Sequence, residues 1–282
     1  MTAARRIVPG FGLSLGIALA YLGAIVVLPL AALAWQAARL RPAALWATLG
    51  SERTLAAFAL SVGAAVAAAA VSTACGVAVA WVLVRYRFWG RALVDAVVDL
   101  PFALPTAVAG IALCATWGPR GPLGRPLAAL GVASAYSRLG IVIALVFVGV
   151  PFVVRAVQPV LASLDPRLEE AAATLGASPA QAVWRVVLPA LRPAIATGFA
   201  LAFARGLGEY GSVVFISGNL PGRTEIAPLL IMAKLDQFDY PAATALAIVL
   251  LAASLAVLVG VHALGRRRPP RATPPPAAQV IG

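Results

Sequence analysis

The sequence predicts an all-α protein that crosses a membrane six times. Three observations carry this. Hydrophobic residues fill 62% of the 282 positions, with a mean hydropathy of +0.94. Charged residues supply only 11%, against about 25% in ordinary soluble domains. The apolar residues also gather into runs that reach the roughly 20 residues a helix needs to cross a bilayer. A soluble chain of this size could not hide so much apolar surface.

Six runs qualify: 11–35, 55–84, 93–117, 139–158, 192–217 and 241–264. The first lies in a charge-free stretch, 7–38. Arg5-Arg6 before it and Ala32-Leu33-Ala34 near its end imitate a signal peptide, but the run outlasts the roughly 7–15 apolar residues of such a segment. It is expected to remain as an anchor behind a short tail, 1–10. The second run is uninterrupted. The third opens on Asp95 and Asp99 and contains Pro101 and Pro105, which remove amide donors and should bend or interrupt it. The fourth carries Arg155 near its end, and the sixth is again uncharged. The tail 265–282 is rich in Arg and Pro, cannot build a packed core, and is expected to be disordered.

Arginine placement sets the orientation. Arg5-Arg6, then Arg85, Arg87 and Arg91, then Arg155, Arg167, Arg185 and Arg192, and finally Arg266, Arg267, Arg268 and Arg271 fall on one side if the spans alternate, against Arg39, Arg41, Arg53, Arg120, Arg125, Arg138, Arg223 and Lys234 on the other. That side is expected to be the cytoplasm, with both termini in it. The net charge of +12 does not indicate nucleic acid, because the basic residues are scattered between apolar runs and form no stripe. His262 is the only histidine, so no histidine-based metal cluster can form. Cys75 and Cys114 lie in apolar runs and are expected to act as small buried hydrophobes.

Between the fourth and fifth runs lies a polar, helix-forming segment, 164–190, that must sit in water. Asp165-Pro166 is a helix start, with Asp at the N-cap and Pro at the first helical position. Glu169 and Glu170 follow near the positive end of the helix dipole. Leu164, Leu168, Ala172 and Leu175 recur at helical spacing, and Gly176 suits a left-handed stop. Ser178-Pro179-Ala180-Gln181 then opens a second helix as a capping box, expected to end before Leu188-Pro189. On composition alone, the pair could be an amphipathic linker resting on the bilayer.

The spacing within this segment is informative. Glu170-Ala171-Ala172, three residues, Gly176, nine residues, Val186, and then Leu188-Pro189 resembles the EAA loop of binding-protein-dependent ABC permeases. That resemblance implies a type I importer (MetI-like) permease with a core at 54–264. It implies that 164–190 is the coupling helix entering a cleft on an ATPase subunit. Glu170 would supply the ionic contact, Ala171, Ala172 and Gly176 the close-approach surface, and Leu188 and Pro189 the end of the motif. Glu169 could equally serve as a dipole-stabilising first-turn residue.

The fifth run places Arg205, Gly206, Gly208, Glu209 and Tyr210 inside an apolar helix. Charges at membrane depth cost about 2.5–3.5 kcal/mol on insertion scales and usually face the bundle interior. Arg205 and Glu209, four residues apart, can neutralise one another. They form either a structural ion pair or part of an anion path or gate. The following loop is rich in turn formers, and Asn219, Arg223 and Glu225 within it are candidates for contact with a binding protein.

Gly208-Glu209-Tyr210-Gly211 through Ser217-Gly218-Asn219, followed by Thr224-Glu225-Ile226-Ala227-Pro228, is similar to T-type permeases of sulfate/thiosulfate importers. Leu104-Pro105-Thr106-Ala107-Val108-Ala109-Gly110 also suits that group. The resemblance implies a bacterial inner-membrane complex with a second, W-type permease, two ATPase subunits and a periplasmic sulfate-binding protein. Molybdate/tungstate permeases share part of the pattern and remain the alternative. No Walker A pattern is present, so ATP would be bound by the partner and the chain itself needs no cofactor. An intramembrane enzyme would need a nucleophile–base pair or a carboxylate dyad at depth. Apart from Glu209 the clear spans offer none.

Overall fold

A computed structural model describes residues 11–266, so the predicted tail 1–10 and residues 267–282 of the predicted tail 265–282 lie outside the described residues, while 265 and 266 still belong to the last helix. Every regular element among those residues is helical. Five helices are long and apolar enough to cross a membrane: Phe11–Ala38, Glu52–Arg85, Arg138–Ser163, Pro179–Leu207 and Tyr240–Gly260. Two further apolar helices, Arg91–Ala103 and Thr106–Trp117, meet at a bend of 115°. The six-span expectation therefore holds if this bent pair counts as one. The break falls where Pro105 follows Leu104 in extended backbone, ψ 135°. A residue before proline is driven out of the helical region, which explains the position of the break.

The core is built by the second, fourth and fifth spans, which approach at backbone distance. Val153, with no exposure, is the knob between them. A methyl group on Gly76 of the second span would sit 2.7 Å from the Val153 Cβ, and one on Gly198 of the fifth would sit 2.9 Å from the Val153 Cα. Apolar side chains gain little by leaving lipid, so close van der Waals contact at small residues must hold such helices together. The first span buries none of its described residues within this chain, and its main contact is with the sixth.

Two helices change pitch, each just ahead of a Leu-Pro pair. Gly23–Val27 and Val183–Val187 are π-helical, with the Leu28 N–H donating to the Gly23 carbonyl and the Leu188 N–H to the Val183 carbonyl. Pro29 and Pro189 have no N–H with which to continue the α-helical ladder, and the wider turn absorbs the misfit. This corrects one expectation. The second helix of the polar segment does not stop before Leu188-Pro189. It runs through the π turn and the proline into the fifth span as one 29-residue helix, Pro179–Leu207. That helix also ends earlier than the 192–217 run suggested, at Leu207.

Cys75 is exposed on its helix rather than buried, and Cys114 is half-buried with its Sγ 3.1 Å from the Tyr136 hydroxyl. At the start of the sixth span, Asp239 accepts from the Lys234 ammonium at 3.1 Å and from the Ala242 N–H at 3.2 Å. Lys234 first, and that N–H second, hold its carboxyl below the ordinary value.

Candidate functional site: an exposed helix pair and two facing helix breaks

The polar segment leaves the fourth span and projects from one end of the bundle. Its first helix is Arg167–Thr174, one residue later than the Asp-Pro start implied, with the Arg167 N–H donating to Asp165 Oδ1 at 3.0 Å. Gly176, at φ +83°, stops it. The Gly176 N–H reaches the Ala173 carbonyl at 2.9 Å and the Ala177 N–H reaches that of Ala172 at 3.0 Å, the paired closure of a Schellman motif. The Ser178–Gln181 capping box then starts the next helix, with both of its hydrogen bonds formed. Glu170, Ala171 and Gly176 are exposed, while Ala172, Leu188 and Pro189 are half-buried.

Glu170 makes no ion pair among the described residues, whereas its neighbour Glu169 is bonded to Arg85 at the end of the second span. The two glutamates thus divide the work: one anchors the helix pair to the bundle and the other is free. The same helix pair also exposes apolar side chains that the sequence alone did not single out as exposed. Leu175 is 89% exposed and Trp184 71%. Exposed aromatic and aliphatic side chains beside charged ones are common in surfaces that meet another protein.

The second constellation lies where the fifth span ends. Arg205 is in its last turn, Gly206 is buried and Gly208 is exposed at the stop. Glu209 follows outside the helix, at 1% exposure. One carboxylate oxygen meets Arg205 Nη1 at 2.5 Å; the other accepts from both the N–H and the hydroxyl of Ser212 at 2.9 Å. The anticipated i,i+4 pair therefore exists, but across an unwound stop rather than within a continuous helix. Tyr210 is partly exposed beside it.

This break seats against the break in the third span. A methyl group on Gly211 would come within 2.1 Å of Thr106 Oγ1, and one on Gly110 within 2.6 Å of the Ser212 carbonyl. Glycine is required at both places, because Gly110 meets the Ser212 backbone and Gly211 packs under the Thr106 side chain. Non-helical backbone at membrane depth is tolerated where protein buries it or where it lines a cavity.

Of the three residues proposed for outward contact, Asn219 and Arg223 are exposed. Glu225 is not: it is 2% exposed and gripped by Arg53 at 2.7 and 2.8 Å. Its carboxylate neutralises that arginine instead of facing a partner. A further cluster escaped sequence reasoning although its members had been noticed separately. Arg155 of the fourth span bonds Asp99 at 2.5 and 2.8 Å, Asp95 at 2.8 Å and Gln158 at 2.6 Å. It clamps the first half of the third span to the fourth.

A bundle of apolar helices with two facing breaks, neutralised charges at one of them, and an exposed helix pair at one end defines a subunit of a membrane transporter. The comparisons narrow this class. The chain belongs to the family of binding-protein-dependent transport system inner membrane components, whose profile matches residues 72–271. It is 47% identical over 265 residues to the sulfate transport system permease protein CysT of Escherichia coli, covering 94% of this chain and 96% of that protein. The fold is similar to that of a bacterial ABC transporter that imports the acidic polysaccharide alginate (TM-score 0.73, 18% identity, 92% of this chain and 96% of that one). It is also similar to that of the MetNI methionine ABC transporter in an inward-facing conformation (TM-score 0.54, 16% identity, 77% and 98%). The architecture is thus that of a MetI-like ABC importer permease, a transport subunit and not an enzyme.

Proposed function

We propose that this chain is one of two permeases of an ATP-driven importer for sulfate, with thiosulfate as a second substrate, in a bacterial inner membrane with both termini in the cytoplasm. The identity to the Escherichia coli sulfate permease along nearly the whole of both chains carries the substrate reading and favours it over molybdate. A W-type permease, two ATPase subunits and a periplasmic sulfate-binding protein complete the complex.

Segment 164–190 couples the chain to an ATPase. Glu170 meets a basic side chain there, Leu175 and Trp184 supply apolar contact, and Ala171, Ala172 and Gly176 keep the surface low. The exposed, unpaired state of Glu170 supports this role. Asn219 and Arg223 contact the binding protein on the opposite side. ATP stays with the partner, and the chain carries no cofactor of its own.

Arg205 assists the anion across. Its side chain is 35% exposed while Glu209 cancels most of its charge. A dianion then meets a cation strong enough to offset part of its desolvation and too weak to trap it. The test is uptake of radiolabelled sulfate, with molybdate in parallel, by cells whose own sulfate permease is deleted and replaced by this chain. Sulfate uptake that depends on the ATPase supports the reading. Molybdate uptake without sulfate uptake overturns it.

A further inference from the structure

At the end of the bundle opposite the exposed helix pair, two arginines share one cleft. It encloses about 470 Å³ between the second span (Ala56, Ala59, Gly63, Ala67), Val142 of the fourth span, and the turn holding Gly222 and Arg223. Arg138, the first residue of the fourth span, lines it together with Arg223. The two are joined: Arg138 Nε donates to the Arg223 carbonyl at 3.2 Å.

Two arginines without a carboxylate partner among the described residues line this one cleft, whereas four others in the bundle are neutralised. Arg53, Arg85, Arg155 and Arg205 each meet a carboxylate. Neither Arg138 nor Arg223 does among the described residues, and both are exposed. The cleft therefore has two unneutralised guanidinium groups and no anion of its own. The fourth span also begins here, so the positive end of its dipole adds to theirs. The wall below is apolar and nearly smooth, and a methyl group on Gly63 would touch nothing within 4 Å.

We propose that Arg138 and Arg223 form a binding site for a tetrahedral oxyanion at this end of the chain. Guanidinium forks match the oxygens of sulfate and phosphate, and two of them converging on one cavity select for multiple negative charge. The same chemistry is presented by free sulfate arriving for transport and by the phosphate of a membrane lipid whose chain lies along the Ala/Gly wall. In the first case the site is a receiving station ahead of Arg205, and that version rests on the sulfate reading above.

The test uses the assembled importer of both permeases and ATPases, without the binding protein, in nanodiscs containing phosphatidylglycerol. Labelled sulfate binding is measured at equilibrium, and co-purifying phosphatidylglycerol is counted by mass spectrometry. The wild type, R138Q/R223Q and R138K/R223K are compared. The glutamine pair is expected to weaken one of the two ligands by at least about tenfold, and the lysine pair to retain most of it. Loss of sulfate identifies the transported ion as the occupant, and loss of lipid identifies the headgroup.

Unchanged binding of both overturns the proposal, as does a wild type that binds neither. Because the Arg138 side chain also bonds backbone, Arg223→Gln alone serves as the variant that leaves that contact in place. The same threefold comparison applies to it. Sulfate uptake by wild-type cells is read separately, so failure of the substrate reading does not masquerade as failure of the site.

Discussion

Replacing Arg205 by alanine strands Glu209, a carboxylate with 1% exposure. Breaking a fully buried ion pair costs about 3–5 kcal/mol. Two features lower that figure here. Arg205 is 35% exposed, so part of its attraction was already screened, and both Ser212 donors stay on the carboxylate. The expected loss is about 2 kcal/mol, roughly 30-fold in the folded population. Adding Glu209→Gln removes the stranded charge while the amide oxygen still accepts from Ser212. R205A/E209Q should therefore be more stable than R205A by about 1 kcal/mol, within the usual range for coupled neighbours. Thermal denaturation of the assembled complex in detergent reads the stability, and sulfate uptake on the same variants reads the function. Uptake should stay lost in R205A/E209Q even as stability returns. If the second substitution restores no stability, the pair is not coupled as described. If R205A/E209Q imports at the wild-type rate, Arg205 has no part in the path.

Glu170→Lys should leave membrane insertion and the other permease contacts intact while weakening ATPase docking and abolishing uptake; co-purification of the ATPase subunit reads this. Gly176→Val, at φ +83° with nothing crowding the position, should cost about 1–2 kcal/mol through backbone strain alone, and Gly176→Asn should recover most of it in a thermal melt. Gly198→Ala, which pushes a methyl group against the Val153 backbone, should destabilise by about 1–3 kcal/mol, whereas Gly63→Ala should not. Pro189→Ala restores a ladder donor, so the π turn should tighten and the helix pair should rotate relative to the bundle by about one residue, or 100°. Uptake should fall with assembly preserved, and unchanged uptake would show that the turn has no role in coupling.

Short-range features were legible in the sequence. Pro105 marked the break in the third span, while Pro101 sits inside its first helix; Gly176 marked the left-handed stop of the polar segment's first helix, and Ser178 with Gln181 a capping box, because each is decided within a few residues. The end of the fifth span was not legible. Residues 208–217 stay apolar enough to pass for helix, and only the close seat of Thr106 and Gly110 against Gly211 and Ser212 shows why the chain unwinds. Pairs across long separations were hidden for the same reason. Arg53 finds Glu225 172 positions away, and Arg155 finds Asp99 56 positions away. Nothing local to Glu225 distinguishes a buried counter-ion from a surface contact. The mistake about Leu188-Pro189 has a different origin. A proline after a helical pattern reads as a terminus, yet a single turn of wider pitch carries the helix past it.

That continuity gives the protein a connecting rod. At 1.5 Å per residue, the 29 residues from Pro179 to Leu207 measure about 44 Å, longer than the roughly 30 Å of hydrocarbon they cross. One end opens on the Ser178 capping box, and the other stops at Arg205 with its ion pair to Glu209. Between them only the five residues Val183–Val187 depart from α-helical pitch. A push applied at Ser178 would reach Gly208 along one unbroken helix, with the wider turn at Val183–Val187 as the single change of pitch on the way.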